Sequence, residues 1–281
     1  MSIKFSGHTM GTPKLDIYEA MELFKKIGYD GIEVRIAADG QIDSETITDA
    51  EVRKIKEKAD KIGIEFSCLT SYYQDFTSDK RAEVISNLKR VAEIAHILAC
   101  PTIRLYGGTD RAPEGIWFVD HWTRTVNGIR EVAQFASKLD VGIAIETHVG
   151  SLTMSVRDTV RIIEDVNMNN VGILFDYAWV ELAGVEKGSD AVKAAAKYIR
   201  HCHIKDWKLE SKTPLKKQSC LMGEGTVAWE PVLTELKKTG YNGYISDEYE
   251  KFWYPDELPE PEIGMKHNLQ WIKGVGGGRN R

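Results

Sequence analysis

The segments KIGYDG at residues 26–31 and KTGYNG at residues 238–243 are near copies of one another. Each follows an amphipathic helical pattern, carries a glycine where such a helix would end, and leads into a short apolar run. This pattern is typical of the helix-to-strand joint of a repeated strand–helix unit. Because the joint occurs near both ends of the chain, we expect the same unit to recur between them.

Short apolar segments, most of them rich in β-branched or aromatic residues, recur along the chain as buried parallel strands do. The predicted strands are residues 3–7, 31–34, 64–69, 102–106, 142–146, 172–176, 201–204 and 244–248. Between them, apolar residues three and four apart indicate helices. The predicted helices are residues 15–27, 49–62, 79–98, 123–139, 155–166, 190–199 and 230–238, with a weaker one at 263–272.

Eight strands and about eight helices, at about 35 residues per unit, predict an α/β fold, a closed (β/α)8 TIM barrel. The alternative is an open doubly wound sheet, which usually carries a Gly-rich phosphate loop after its first strand. Residues 7–12 read GHTMGT, which is not G-x-G-x-x-G, so we favour the barrel and expect neither NAD nor flavin. We predict a single domain over residues 1–274 and a disordered tail over residues 275–281.

The composition limits the partners and the compartment. The 281 residues include 37 Lys and Arg against 42 Asp and Glu, a net charge of −5, which does not favour nucleic acid or anionic membranes. No apolar run approaches the roughly 20 residues of a membrane span, and the start has no signal-peptide core. The four cysteines include no C-x-x-C pair, which argues against a disulfide scaffold. We therefore expect a cytoplasmic protein.

Polar residues that end barrel strands mark the position of the active site in this fold. Four of them, in the second half of the chain, are potential metal ligands: Glu146, Asp176, His203 and Glu248. A carboxylate that ends an apolar strand is costly to bury unless a metal or a salt bridge satisfies it. Three carboxylates and one imidazole form a mostly oxygen site, which favours Mn²⁺ or Mg²⁺. We predict one divalent metal at these residues.

Other polar residues end strands on the same rim. They are His8, Glu33, Arg35, Arg104, His148 and His201. His201 and His203 alternate with Cys202 and point the same way, so only one need bind metal, and the other is either a substrate ligand or a core histidine. Lys205 continues that face and is either a partner for a substrate oxygen or a surface lysine. We assign His8, Arg104, His201 and Lys205 to substrate binding.

Five motifs together resemble the xylose-isomerase-like barrel superfamily. They are IETH at residues 145–148, LFDY at 174–177, HCHIKD at 201–206, GEG at 223–225 and GYNGYISDE at 240–248. That group includes sugar isomerases and epimerases, dehydroshikimate dehydratases, inosose dehydratases and keto-glycoside lyases. The resemblance extends through about Gly274 and implies that the four predicted ligands hold one divalent metal. Mn²⁺ is the usual ion, with Mg²⁺, Co²⁺ and Zn²⁺ as alternatives.

Two positions depart from the ketose epimerases of this superfamily. Those enzymes have a histidine three residues after the metal aspartate and an arginine six residues after the metal histidine, and both side chains grip the ketose. This chain has Trp179 and Leu209 there, which argues against a ketose 3-epimerase. Endonuclease-type relatives need several more histidines for a three-metal cluster, and this chain has seven in total with few at strand ends. We exclude that interpretation.

The implied chemistry is removal of a proton next to a carbonyl. A metal acts as a Lewis acid and acidifies the neighbouring C–H, and a positioned base then removes the proton. His148, two residues beyond Glu146, is one candidate base; its alternative is a loop histidine bonded to backbone. Glu146 and Glu248 are the competing acid/base pair, as in the epimerases. The step after proton removal distinguishes elimination, isomerisation and epimerisation.

Aromatic residues come after most of the later strands, and aromatic faces stack on sugar rings and flat aglycones. They are Tyr72, Tyr73, Phe76, Trp117, Phe118, Trp122, Tyr177, Trp179, Trp207, Phe252, Trp253 and Tyr254. Among these, Trp179 is assigned to substrate binding; the alternative is that many of the rings pack the barrel–helix layer or a subunit interface.

Our leading interpretation is a lyase of 3-keto-glycosides that resembles the catalytic, alpha subunit of C-glycoside deglycosidases. This resemblance implies an oligomer that includes a small β-rich partner subunit. The alternatives are a sugar isomerase or epimerase and a non-catalytic barrel that binds sugar.

Overall fold

The computed structural model describes residues 3–276, in which eight parallel strands close into a barrel. These strands are β1 (Lys4–His8), β2 (Gly31–Ile36), β3 (Glu65–Ser71), β4 (Thr102–Tyr106), β5 (Gly142–Glu146), β6 (Val171–Asp176), β7 (Ile199–Ile204) and β10 (Tyr244–Asp247). Strands β8 (Asp206–Lys212) and β9 (Leu215–Cys220) form a separate antiparallel hairpin. The barrel strands are arranged in chain order, and β10 pairs with β1. The predicted TIM barrel is confirmed.

Helices surround the barrel and alternate with its strands. They are α1 (Ile17–Ile27), α2 (Asp49–Ile62), α3 (Arg81–Leu98), α4 (Phe118–Ser137), α5 (Val156–Val166), α6 (Tyr177–Ala183), α7 (Gly188–Ala195), α8 (Trp229–Lys238) and α9 (Pro261–Gly276). Helix α4 begins five residues before the predicted start, and α7 ends before the predicted end because β7 takes over at Ile199. Helix α9 runs two residues into the predicted tail, and residues 277–281 lie outside the described part.

The two repeated joints adopt the backbone that their glycines predict. Gly28 ends α1 with a φ of 104°, and Gly240 comes after α8 with a φ of 77°, a region that L-residues avoid. The tyrosines of the two joints form different hydrogen bonds. The Tyr29 hydroxyl donates to Asp247 Oδ2 at 2.6 Å, whereas the Tyr241 hydroxyl donates to a backbone carbonyl at 2.7 Å. The repeat thus reflects a shared backbone turn.

The β8–β9 hairpin stands beside the mouth of the barrel and is anchored by a buried carboxylate. Asp206 accepts hydrogen bonds of 2.9–3.2 Å from the backbone N–H groups of Trp207, Gly223, Gly225 and Val227. These bonds join the first residue of the hairpin to the GEG loop beyond it. The apolar pattern of the sequence did not predict the hairpin, because most residues of the hairpin are polar and lie at least partly exposed.

Replacing Asp206 with Ala should destabilise the protein by about 2–4 kcal/mol, because four backbone donors lose a charged acceptor. Thermal and urea unfolding measure this effect. Asp190→Ala is the matched control, since among residues 3–276 the Asp190 side chain pairs with Lys193 alone, in an exposed ion pair, and its loss should change the unfolding midpoint little. Equal unfolding midpoints for the two variants would show that the anchor does not stabilise the fold.

Within the described residues, no helix combines the length and apolar character that a bilayer span requires. The four cysteines are free thiols; those of Cys68, Cys100 and Cys202 are buried.

Candidate metal centre and active site

The four predicted metal ligands meet at the carboxyl end of the barrel. Glu146 ends β5, Asp176 ends β6, His203 lies in β7, and Glu248 comes directly after β10. One ligand atom from each lies within 4.8 Å of the others, and all four side chains are buried. Parallel strands bring residues that are far apart in sequence to one rim, as predicted.

Strand register explains why three of these side chains, those of Asp176, His203 and Glu248, lie next to one another. His203 is the direct partner of Asp176 on one side and of Ser246 on the other. The backbone N–H of Glu248 then donates to the Ile204 carbonyl at 3.0 Å, which extends the ladder past the end of β10. The cluster is therefore held by main-chain pairing.

The donor set fits a divalent cation. His203 Nδ1 lies 3.1 Å from Glu146 Oε1 and 3.4 Å from Glu248 Oε2. A lone pair on this nitrogen would face two anions, so either a proton or a metal ion must lie between them. Asp176 Oδ2 has no hydrogen bond within residues 3–276, although Lys205 Nζ contacts it at 2.7 Å outside hydrogen-bond geometry. Three carboxylates and one imidazole suit a hard cation.

Two of the predicted substrate ligands are paired with this cluster. Arg104 donates to Glu146 Oε2 at 2.7 Å, and Lys205 Nζ lies 2.5 Å from Glu248 Oε2 and 3.7 Å from Glu250 Oε1. Burial favours the neutral acid, but Arg104 and nearby histidines bring the pKa of Glu146 down to about 2. Burial, together with the negative charges of Glu248 and Glu146, raises the pKa of Asp176 to about 7, although the positive charge of Lys205 acts to lower it.

His8 in β1 and His201 in β7 both lie close to Glu33 of β2. His201 Nε2 is 2.9 Å from Glu33 Oε2. His8 Nδ1 accepts the backbone N–H of Met10 at 2.9 Å, and its Nε2 is 4.0 Å from Glu33 Oε1 with no hydrogen-bond partner among the described residues. Desolvation lowers the pKa of His8 to about 4, so this ring is neutral. Their assignment to substrate remains a prediction.

His148 stands at the edge of the site. It is partly buried and touches two rings edge-on, Tyr106 and Trp179, each with centroids 5.0 Å away. Its Nδ1 lies 2.6 Å from the Val149 carbonyl, while Nε2 has no hydrogen-bond partner in the described part of the chain. Burial lowers the pKa of His148 below its ordinary value, despite the attraction of Glu146. With Nδ1 bonded to the Val149 carbonyl, Nε2 is the ring nitrogen placed to accept a proton.

Three charged residues of this site had no predicted role: Glu33, which the sequence identified only as a polar strand end, Lys217 and Glu250. Glu33 bonds both histidines of β7. Lys217, on the hairpin, lies 3.3 Å from Glu250 Oε2 and 4.7 Å from the centre of the Trp207 ring. A carboxylate within the apolar strand GIEVRI was the available signal for Glu33. No comparable signal pointed to Lys217, because the hairpin itself was not predicted.

The predicted aromatic rim divides into buried and exposed rings. Trp179 and Trp207 are buried beside the cluster, 4.8 Å apart between centroids. Phe76 packs against α4 at Gly128, and Tyr177 packs on Trp229, so both belong to the barrel–helix layer. The rings that are largely exposed are Trp117, Phe118 and Trp253. The alternative of ring packing is therefore correct for part of this set.

Cavities are also present at the opposite end of the barrel. Two adjoining cavities of about 680 Å³ and 610 Å³ share Asn167, Met168, Asn169 and Arg200. These residues precede or begin barrel strands, whereas the titratable cluster is at the strand ends. The chemistry of the side chains, and not cavity size, locates the site.

The chain is similar in sequence to known carbohydrate enzymes. An inosose dehydratase from Glaesserella parasuis is 25% identical over 226 residues, which is 72% of this chain and 74% of the relative. A D-psicose 3-epimerase from Ruminiclostridium cellulolyticum is 23% identical over 246 residues, 80% of this chain and 75% of the relative. The chain spans about half to three quarters of the length of the inosose dehydratases that it matches.

The fold is also shared with solved structures. A 3-keto-D-glucoside 4-epimerase from E. coli superposes with a TM-score of 0.78 at 15% identity, covering 97% of this chain and 100% of the other. The family model described as xylose isomerase-like TIM barrel matches residues 21–275, which includes all four residues of the cluster. The match covers most of the chain, and the protein belongs to the xylose isomerase-like TIM barrel family.

Proposed function

We propose that this protein is a divalent-metal-dependent carbohydrate lyase that acts on 3-keto-glycosides. The observation that carries the proposal is the end of β5, where Glu146 joins the four-residue cluster and His148, two residues later, presents an unpaired Nε2 beside it. Glu146, Asp176, His203 and Glu248 would hold the metal, which would supply a Lewis acid for the substrate carbonyl. The relatives named dehydratases support elimination as the reaction class.

The proposed reaction is a β-elimination. His148 Nε2 takes the proton from the carbon next to the ketone, and the electron pair of that C–H bond forms a C=C bond to the anomeric carbon. The bond from the anomeric carbon to the aglycone breaks, and the aglycone leaves with that electron pair and then takes up a proton. The ketone enters already oxidised, so the step needs no nicotinamide or flavin.

A sugar epimerase is the second candidate, because a D-psicose 3-epimerase matches 80% of the chain. In that mechanism Glu146 and Glu248 would exchange the proton on opposite faces of the same carbon. In this chain, the two positions that grip the ketose in such enzymes are occupied by Trp179, which is buried, and Leu209, which lies on the hairpin. Neither side chain offers the charge that those enzymes use, so we rank this candidate second.

A direct test is incubation of the Mn²⁺-loaded protein with the 3-keto form of a chromogenic glucoside. Release of the aglycone, with no release by the same protein after chelator treatment, would support the lyase. A parallel incubation with D-psicose or D-fructose, analysed by chromatography, tests the epimerase. Ketose interconversion without aglycone release would overturn the lyase proposal in favour of the second candidate.

Trp179 is predicted to donate its indole N–H to the substrate. It is buried beside the cluster, and its Nε1 has no hydrogen-bond partner within residues 3–276. Trp179→Phe should raise KM for the keto-glycoside about three- to tenfold with little change in kcat, the effect of one lost hydrogen bond. Trp122→Phe is the control, since Trp122 Nε1 donates to Asp165 on the helix surface. An unchanged KM in Trp179→Phe would remove this residue from the substrate site.

The proposal also includes association with a small β-rich subunit. Three consecutive apolar residues at the start of α4, namely Trp117, Phe118 and Val119, are 79%, 59% and 66% exposed. An exposed apolar patch of this kind is typical of an association surface. Light scattering on the purified chain, with and without a co-expressed partner, measures the assembly.

A further inference from the structure

We propose that Glu33 is a positioning residue that orients His203 for metal binding. The inference rests on the proposed metal site and adds to it a residue that is itself no ligand. Glu33 lies in β2, is fully buried, and contacts His203 at Nε2, whereas Glu146 and Glu248 face Nδ1 of the same ring. It is separated from His203 by 170 positions in the chain.

Every oxygen of the Glu33 side chain is occupied by a side-chain donor. Oε1 lies 2.9 Å from His203 Nε2, and Oε2 lies 2.9 Å from His201 Nε2. The Thr70 hydroxyl on the neighbouring strand β3 also donates to Oε1. All of these groups are buried, so water does not compete for the carboxylate. A buried carboxylate with three donors has little freedom to move.

The carboxylate fixes which nitrogen of each ring carries hydrogen. An ionised carboxylate only accepts hydrogen bonds, so His201 and His203 must both present N–H at Nε2. Nδ1, the atom 3.1 Å from Glu146 and 3.4 Å from Glu248, is thereby the nitrogen that would offer its lone pair to a metal ion, once that ion replaces the proton. A carboxylate behind a ligating histidine also raises its basicity toward a metal.

The same contacts argue that Glu33 does not bind the metal itself. Nδ1 and Nε2 lie on different edges of the imidazole ring, and Glu33 contacts only Nε2. A second grouping of His8, Glu33 and His203 does bring ligand atoms within 4.8 Å, with His8 Nε2 4.0 Å from Glu33 Oε1. A second cation there is the competing explanation, and the number of bound ions separates the two.

The test is Co²⁺ binding by the full chain, measured by elemental analysis, chelator competition and visible absorption. Glu33→Gln has one acceptor and one donor where the carboxylate has two acceptors, so one histidine must lose its bond or change tautomer. We expect wild type to bind one equivalent and Glu33→Gln to bind it about 10–100-fold more weakly, with shifted absorption bands. Circular dichroism confirms folding.

Two further variants keep the test decisive. Glu33→Asp keeps the charge but is one methylene shorter, and should show an intermediate loss of Co²⁺ affinity. This variant still tests the inference if Glu33→Gln fails to fold. Asp247→Asn removes a buried carboxylate that instead faces Tyr29 and Asn268. It should cost stability without changing the Co²⁺ spectrum, because the side chain of Asp247 accepts hydrogen bonds from Tyr29 and Asn268 and, among the described residues, from none of the predicted ligands.

Three results would overturn the inference. Wild-type affinity and spectrum in folded Glu33→Gln and Glu33→Asp would show that Glu33 does not orient His203. Two equivalents in wild type that fall to one in Glu33→Gln would make Glu33 a ligand. No Co²⁺ binding by wild type would remove both this inference and the proposed metal site. If Co²⁺ binds as expected but keto-glycosides do not react, the proposed lyase reaction alone fails.

Discussion

Replacing Asp176 with Asn should lower the affinity for Mn²⁺ by more than about 100-fold and reduce turnover to background at micromolar metal. The amide has the same shape as the carboxylate but no charge, and the remaining three ligands cannot fill the coordination shell. The loss should exceed the roughly 10–100-fold expected for residues behind the ligands. Elemental analysis of the purified variant and chelator competition measure the affinity.

The control for this prediction is again Asp247→Asn, a buried aspartate that faces the helix layer and not the cluster. It should retain the metal and its affinity. Saturating Mn²⁺ should recover part of the activity of Asp176→Asn, because a weakened site still fills by mass action. Fully active wild-type protein found to contain no metal would contradict the whole assignment.

Replacing His148 with Ala should lower kcat for the keto-glycoside by about 10²–10⁴-fold, the usual contribution of general acid–base catalysis. The metal should stay bound and the fold intact, because His148 contacts its neighbours through ring edges and one backbone bond. His148→Asn should be about as inactive, since an amide cannot take up the proton. Stopped assays with metal-saturated protein measure kcat in each variant.

The competing acid/base pair provides the outcome that would contradict this prediction. Suppose His148→Ala keeps near-normal turnover, while metal-loaded Glu146→Gln or Glu248→Gln is inactive. The two glutamates would then carry the proton, as in the epimerase mechanism, and elimination would lose its main mechanistic support.

The barrel was predictable from the sequence because each of its signals is local. The strand at residues 102–106 and the strand at 142–146 have the predicted bounds, and glycine ends α1 at the predicted joint. The hairpin was not predictable in this way. Most of its residues are polar, so it has no apolar run that would indicate strands. Its anchor, Asp206, accepts hydrogen bonds from backbone groups up to 21 positions away.

The candidate site divides in the same manner. Its four central residues were predicted because parallel strands in a barrel end at one rim, so a polar residue at each strand end is enough to place them together. The sequence also identified the two departures from the ketose epimerases, Trp179 and Leu209, since each has a fixed spacing from a predicted ligand.

The tertiary structure alone decided how these side chains pair. It showed that Arg104 and Lys205 neutralise cluster carboxylates, that Lys217 approaches from the hairpin, and that Glu33 lies behind His203. Spacing along the chain specifies which strand end a residue occupies, because strand pairing has a regular period. It does not specify which atom meets which partner, because that depends on packing and side-chain rotation across strands that are distant in sequence.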